Sequence, residues 1–515
     1  MAGITLTFEN GTIRIDVSTD GDERGDGAGA PEADVAIDAG MSAEDRDGGG
    51  TEVGALLDGL PFVEPDPRSG TYRAPAFRYA DLRDALAETR PTAGIAVDDR
   101  VLDLPDLDLD SAYELRSYQR EALDAWRAGG DRGVLELPTG SGKTVIALKA
   151  IEALGTPTLV VVPTIDLLNQ WHDELKTEFG GGTTRSTATE PANAGTSTRD
   201  GETARTGEVG EIGQLGGGVQ RLGSITVSTY DSAYLRADEL GDRFGLVVFD
   251  EVHHLGGEGY REIARLLAAP ARLGLTATFE RPDGAHEVVE EIVGPLCHRV
   301  DVDDLAGTHL ADYDVKRIEV ELSEAERTIY DDHQEVFVSY LATSNLDMRS
   351  GSDYQKLVMR SGNDPRAREA LLAKQRAREV MMNADAKLDE LATIFDRHRG
   401  DRVLVFTAHN DLVYRLSERF LLPAITHRTG AAERREILEK FRSGTYSRVV
   451  TSNVLDEGID IPDANVAVVL SGSGSKREFT QRLGRILRPG EGKRALLYEV
   501  ITTETAEERV ADRRR

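Results

Sequence analysis

Cysteine is almost missing from this sequence. Its 515 residues include one, Cys297, which excludes a disulfide framework and favours an intracellular, cytoplasmic setting. No apolar run reaches the ~18 residues that a membrane span needs, so no membrane partner is expected. Met1 to Asn10 has no basic start and no small-residue cleavage site, and is read as carrying no signal peptide. Lysine is scarce too: it supplies ten of the 61 basic residues, against 91 acidic ones, for a net charge of −30. Net charge speaks to solubility and association, not to fold. The acid excess is spread along the chain rather than confined to a tail. That pattern suits a salt-adapted surface, as in a halophile, and does not forbid a locally basic groove for nucleic acid.

The chain is long enough for about three domains. Ile4–Asp16 alternates apolar and polar residues around Asn10-Gly11, a hairpin signature. Residues from about 18 to 52 are rich in Gly, Asp and Glu and read as a disordered insert, with structure resuming at Val53–Leu57. Pro105, within the acidic stretch Asp103–Asp110, marks a boundary. From Leu115 short apolar runs alternate with helical stretches: Val134–Leu137, Leu159–Val162, Ile225–Val227, Leu246–Phe249 and Leu273–Leu275. Strand-helix alternation predicts a parallel sheet with helices on both faces. Gly180–Gly218 reads as a surface insert, most flexible at about 181–205. The alternation restarts at Val403–Phe406, Val449–Thr451 and Val466–Leu470, giving a second α/β lobe. Between the lobes, Glu324–Arg378 reads as wholly helical. Arg349–Arg378 holds eight Lys/Arg against three Asp/Glu, a basic island in an acidic chain.

Leu137-Pro138-Thr139-Gly140-Ser141-Gly142-Lys143-Thr144 lies between a strand and a helix. Glycines there let backbone N–H groups wrap phosphates at a helix N-terminus. Lys143 is expected to reach the β/γ-phosphates of ATP and the Thr144 hydroxyl to ligate Mg²⁺. Leu137 stands where the general P-loop pattern has its first glycine, so the match is to the helicase-type variant. The apolar strand 246–249 ends in Asp250-Glu251: Asp250 for the metal, Glu251 to take a proton from the attacking water. The bland reading of such acids is a helix cap; the P-loop upstream disfavours it. His253 and His254 lack a third ligand partner and are expected to couple lobes rather than bind metal. Thr276-Ala277-Thr278 offers hydroxyls to relay ATP state. The amide of Gln119 can pair with adenine, although such a residue is often an ordinary part of a helix start. Arg485 and Arg488, three apart beside Gln481, are candidate arginine fingers, and Gly458 and Asp460 complete the nucleotide set.

In this order the motifs resemble superfamily 2 helicases, with Asp250-Glu251-Val252-His253 pointing to the DExH group. Ala74–Leu82, Leu115–Trp126, Asp250–Leu255, Gly274–Glu280, Pro423–Thr429, Leu455–Asp463, Ser471–Ser475 and Gln481–Pro489 all resemble archaeal XPB helicases. The resemblance spans nearly the whole chain outside the two inserts. It implies two RecA-like parallel-sheet lobes, a small N-terminal α+β domain and a helical thumb insertion. The implied division is 1–110, damage-recognition-like; 111–300, first lobe; 301–384, connection and thumb; and 385–515, second lobe. It also implies 3′→5′ movement on duplex DNA in repair or promoter opening, and a nuclease partner protein. One departure stands out: Arg281-Pro282-Asp283 replaces the family's Arg-Glu-Asp. Proline removes a charge and a backbone donor, which bears on duplex opening rather than on ATP hydrolysis. Two alternatives share the ATPase motifs: a motor subunit of a restriction or remodelling complex, and an ATP-gated DNA clamp that does not unwind.

Overall fold

The computed structural model describes residues 3–18, 48–93, 95–180, 211–257, 259–280, 284–305, 312–344, 346, 348, 351–452, 464–471 and 494–508. The chain divides into two compact units, residues 1–137 with 142–299 and residues 138–141 with 300–515.

The first unit opens on a hairpin. Strands β1 (Gly3–Glu9) and β2 (Thr12–Ser18) pair antiparallel. Asn10 and Gly11 take positive φ, 49° and 78°, as a two-residue type I′ turn requires. Helix α1 (Gly48–Asp58), β3 (Glu64–Asp66), β4 (Thr71–Pro75), α2 (Tyr79–Ala93) and β5 (Ala96–Asp99) complete a small α+β domain with strand order β3-β4-β2-β1-β5. Helix α1 begins at Gly48, inside the segment read as an insert and ahead of the expected Val53, while residues 19–47 of that segment lie outside the described residues. Its Val53 and Leu57 pack with Ile4, Leu6, Ile13 and Ile15, which holds the helix on the sheet. This domain sits on the lobe that follows: a Cβ on Gly11 would come within 2.2 Å of Leu266. The acidic boundary is a docked strap, its Leu107 buried and bonded through N–H to Gly155 O at 2.7 Å.

The lobe's sheet contains β6 (Arg132–Glu136), β7 (Thr158–Val162), β8 (Ile212–Gly216), β9 (Val219–Arg221), β10 (Ile225–Thr229), β11 (Leu246–Asp250), β12 (Ala271–Thr276) and β13 (Leu296–Arg299). Their order is β13-β6-β12-β11-β7-β10-β8-β9. All pairings are parallel except β8 with β9. Helices α3 (Ser117–Ala128), α4 (Lys143–Leu154), α5 (Ile165–Phe179), α6 (Tyr230–Leu235), α7 (Ala237–Leu240), α8 (Arg261–Leu266) and α9 (His286–Ile292) cross between strands or cover them. Strands β7, β10 and β11 are buried along their whole length, which is why β7 and β11 read as nearly continuous apolar runs, while β10 buries Thr226 and Ser228 between its apolar residues. Strand β8 corrects the expectation of a surface insert over Gly180–Gly218 at its C-terminal end alone, residues 181–210 lying outside the described residues. Ile212 and Leu215 are buried, and β8 extends the sheet beside β10.

The second unit holds α10 (Val302–Leu305), β14 (Asp312–Val320), α11 (Glu324–Ser344), α12 (Gly351–Ser361), α13 (Pro365–Met382), α14 (Asp385–Arg397), β15 (Val403–Phe406), α15 (Asn410–Phe420), β16 (Ala424–Ile425), α16 (Ala431–Arg442), β17 (Arg448–Thr451), β18 (Val466–Val469) and β19 (Arg494–Thr502). Its six strands run in the order β14-β19-β18-β15-β17-β16, all parallel. The stretch Glu324–Arg378 is not one helical run. It breaks at 362–364, where the Asp364 carboxylate caps α13 by accepting from Arg366 N and Pro365 takes the first helical position. Among the described residues, no helix is long and apolar enough to cross a membrane.

Candidate nucleotide-binding site

Parallel strands deliver their following loops to one sheet edge, where ligands of such sheets bind. At that edge the first lobe presents the loop after β6, the start of α5 after β7, the start of α6 after β10, Asp250 at the tip of β11 and Thr276 at the tip of β12. The Leu137 N–H continues the ladder beyond β6, donating to Thr276 O at 2.9 Å.

The loop turns on two glycines with positive φ, Gly140 at 85° and Gly142 at 81°. A Cβ at Gly142 would lie 2.5 Å from Gln119 Nε2, so this position demands glycine on two counts. Gln119 is buried, its Oε1 accepting from Arg116 N at 2.9 Å and its Nε2 donating to Gly142 O at 3.5 Å. It thus ties the start of α3 to the phosphate loop. Lys143 and Thr144 open α4, and the Lys143 ammonium donates to Leu137 O at 3.1 Å. The Thr139 hydroxyl is buried and accepts or donates no hydrogen bond among the described residues.

Asp250 and Glu251 are both 7% exposed. The Asp250 carboxylate accepts from Trp171 Nε1 at 2.8 Å and from Glu251 N at 3.0 Å. Burial, and then the neighbouring charge of Glu251, push its pKa up to about 6; Trp171 and Lys143 pull the other way. Glu251 takes a left-handed conformation, φ 52° and ψ 53°, which is costly for a residue with a side chain and typical of functional sites. His253, 2% exposed, lies 3.5 Å from Glu251 Oε2 and 3.3 Å from Thr276 Oγ1 through Nδ1. Thr276 Oγ1 in turn donates to Thr278 O at 2.9 Å. The Asp-Glu strand tip and the Thr-Ala-Thr segment are therefore joined side chain to side chain through His253. His254 lies tilted against Tyr230, with ring centroids 5.5 Å apart and planes 39° from parallel.

The residues fit a magnesium nucleotide. A left-handed glycine cradle precedes a helix start carrying Lys and Thr, and a buried carboxylate lies within electrostatic reach of that Lys. Among the described residues, no group of three or more His, Cys, Asp or Glu gathers as a metal centre. Magnesium held by one carboxylate, a hydroxyl and phosphate oxygens needs no such group. Gln481, Arg485, Arg488, Gly458, Asp460 and Pro282 lie outside the described residues. The sequence reading missed Trp171 and Tyr230, whose hydroxyl donates to Asp250 O at 3.1 Å. A buried indole N–H must find an acceptor, but sequence does not say which one.

Fold and site together define a P-loop ATPase of the helicase class. Residues 6–101 match the xeroderma pigmentosum group B helicase damage recognition domain. Residues 112–281 match the type III restriction enzyme res subunit, and residues 368–515 the ERCC3/RAD25/XPB C-terminal helicase. The chain is 42% identical to the DNA 3'-5' translocase XPB2 of Sulfurisphaera tokodaii, over 86% of this chain and 93% of that one. It is 30% identical to the DNA 3'-5' helicase XPB of Mycobacterium tuberculosis, over 78% and 63%. With the general transcription and DNA repair factor IIH helicase/translocase subunit XPB/SSL2 of Saccharomyces cerevisiae the identity is 26%, over 78% and 43%. The chain belongs to the XPB helicase family. Its 42% identical relative comes from a thermoacidophile, so that kinship lends no support to a halophilic origin.

Proposed function

We propose that this protein hydrolyses Mg-ATP and uses the cycle to travel 3′→5′ along duplex DNA, in excision repair or promoter opening. The observation that carries the reading is the set Lys143, Asp250 and Glu251 at one edge of a parallel sheet, with Asp250 held by two donors and Glu251 beside it. Thr144 and Asp250 would hold Mg²⁺, which when bound neutralises charge on the β- and γ-phosphates. Lys143 and the backbone of residues 139–142 grip the same phosphates. Glu251 accepts the proton of the attacking water, a role worth ~10²–10⁴ in rate. Arg485 and Arg488 from the second lobe supply positive charge to the transferring phosphate and Gln481 a neutral hydrogen-bonding amide, with Gly458 and Asp460 completing that side; an arginine finger is worth ~10³–10⁵.

The names of the relatives support DNA as the track and 3′→5′ as the direction. Residues 1–110 serve as a damage-recognition-like domain, 111–300 and 385–515 as the lobes, and the basic helical segment within 301–384 as a thumb against DNA. Pro282 favours movement over strong unwinding. A nuclease partner and a salt-adapted surface belong to this reading as well, the latter resting on the net charge of −30. Over residues 112–281 the match is to a restriction-enzyme subunit, but the segments on either side match XPB domains, which disfavours a restriction motor. Steady-state ATPase assays with and without duplex DNA test the site. Lys143→Ala and Glu251→Gln each lose DNA-stimulated hydrolysis by at least about a hundredfold; full activity in either variant refutes the assignment.

A further inference from the structure

Asp250 is an expensive residue to hold in place. It is a carboxylate buried to 7% exposure beside a second one, Glu251. Its backbone and side chain are gripped by aromatic groups from two other elements. Trp171, 1% exposed and midway along α5, donates its indole N–H to Oδ2 at 2.8 Å. Tyr230, 1% exposed and the first residue of α6, donates its hydroxyl to the Asp250 carbonyl at 3.1 Å. The remaining carboxylate oxygen, Oδ1, accepts from Glu251 N. Strand β11 alone fixes the backbone of Asp250 but leaves χ1 and χ2 free. The indole removes that freedom, because an N–H on a fused ring packed at 1% exposure points in one direction only.

We propose that Trp171 is a positioning residue for the ATPase: through its indole N–H it orients the Asp250 carboxylate for Mg²⁺ and links that carboxylate to helix α5. The inference rests on the reading of Asp250 as a magnesium ligand and extends it. Groups that hydrogen-bond a metal-ligating carboxylate orient it, and losing them typically weakens metal affinity by 10–100-fold. Helix α5 adds a second consequence. Its N-terminus, capped by the Thr164 hydroxyl accepting from Leu167 N at 3.2 Å, lies at the same sheet edge as the phosphate loop. Ile165, its first residue, is 49% exposed there. A ligand that moves the start of α5 therefore acts on the metal ligand through one rigid side chain. The Trp171 ring also packs in the lobe, so a bare loss of activity on substitution would not separate positioning from packing. The test must read the metal.

The sequence contains two tryptophans, Trp126 and Trp171, and the structure gives each indole N–H a different acceptor. Trp126 Nε1 donates to Arg272 O at 2.9 Å, in the interior of the lobe, and serves as an internal reference. In the full-length protein labelled with ¹⁵N at the indole nitrogens, two resonances are expected. Addition of Mg²⁺ and ADP shifts the Trp171 resonance and leaves that of Trp126 in place. This measurement uses the wild-type chain and does not depend on a variant folding. In parallel, Mg²⁺-dependent binding of a fluorescent ADP is titrated for wild type, Trp171→Phe and Asp250→Asn. Trp171→Phe raises the Mg²⁺ concentration at half-saturation by about 10–100-fold, while nucleotide binding without Mg²⁺ stays at the wild-type level. Asp250→Asn abolishes the Mg²⁺ dependence. An unmoved Trp171 resonance, or an unchanged Mg²⁺ midpoint in Trp171→Phe while Asp250→Asn loses its dependence, overturns the role of Trp171 and leaves the magnesium site standing. Unaltered Mg²⁺ dependence in Asp250→Asn overturns both.

Discussion

At the scale of single residues, the charges of the first lobe are placed by what the backbone offers them. Arg272 shows this most plainly. It is fully buried on β12, and burial lowers its pKa well below the usual value. Its guanidinium donates to the carbonyls of Ala264, Leu267, Ala269 and Ile292 at 2.6–3.1 Å. The loop before β12 and the end of α9 thus close around one side chain, which holds Thr276 at the tip of the same strand. Replacing Arg272 with methionine keeps apolar volume and removes the donors. Each acceptor left without a partner costs about 1–3 kcal/mol, so calorimetry should show the transition of this lobe lowered by many degrees. A Tm within about a degree of wild type would mean those carbonyls find other partners.

At the scale of elements, the second lobe uses a buried ion pair as a latch. Lys387 on α14 and Glu507 have side chains at 0% and 1% exposure, with N–O distances of 2.7 and 2.9 Å. Lys387 also donates to Leu470 O at 2.6 Å, just beyond β18, and Glu507 accepts from Thr502 N at the end of β19 at 2.9 Å. Helix α14 and the C-terminal ends of β18 and β19 are thereby locked together, and it is from that end of β18 that the chain runs on into residues 472–493, the segment carrying Gln481, Arg485 and Arg488. Lys387→Met leaves a buried carboxylate unpaired, which costs about 3–5 kcal/mol. The double variant Lys387→Met with Glu507→Leu removes both charges and recovers part of that loss, as denaturant titration of the pair and the single variants would show; equal losses in single and double variants would contradict the latch.

The same scale shows what could be read from sequence. Strands buried on both faces, such as β7 and β11, announce themselves as apolar runs, and both were legible nearly to the residue. Strand β14 was not: Asp312–Val320 alternates charged and apolar side chains and makes sense only beside β19, its parallel partner far away in the chain. Strand β8 was hidden because Gly213 and Gly216 made it resemble the loop before it. In the site, Lys143, Asp250 and Glu251 are identified by local pattern. Trp171 and Tyr230 act on Asp250 across sequence separations of 79 and 20 residues, which no local pattern encodes.

At the scale of the whole molecule, charge sets the problem. A chain with net charge −30 must hold a polyanion. Binding that depends on 6–10 phosphate contacts loses about 10³–10⁵ in affinity between 50 and 200 mM salt. On the proposed reading of a salt-adapted surface, the motor leans instead on hydrogen bonds, helix N-termini and the helical segment that includes α12 and α13. Duplex-DNA affinity measured across a KCl series should therefore fall by less than about tenfold over that interval, against the rule for charge-driven binding. A full loss of the size that rule describes would show that the groove relies on charge like any other.

The central claim is movement powered at Lys143, Asp250 and Glu251, and displacement of a third strand from a DNA triplex tests it most directly. With Mg²⁺ and ATP the wild-type protein is expected to strip the triplex-forming strand, while Glu251→Gln binds and does not. DNA-stimulated ATP hydrolysis by the wild type without any strand displacement would contradict the account and leave an ATP-gated clamp in its place.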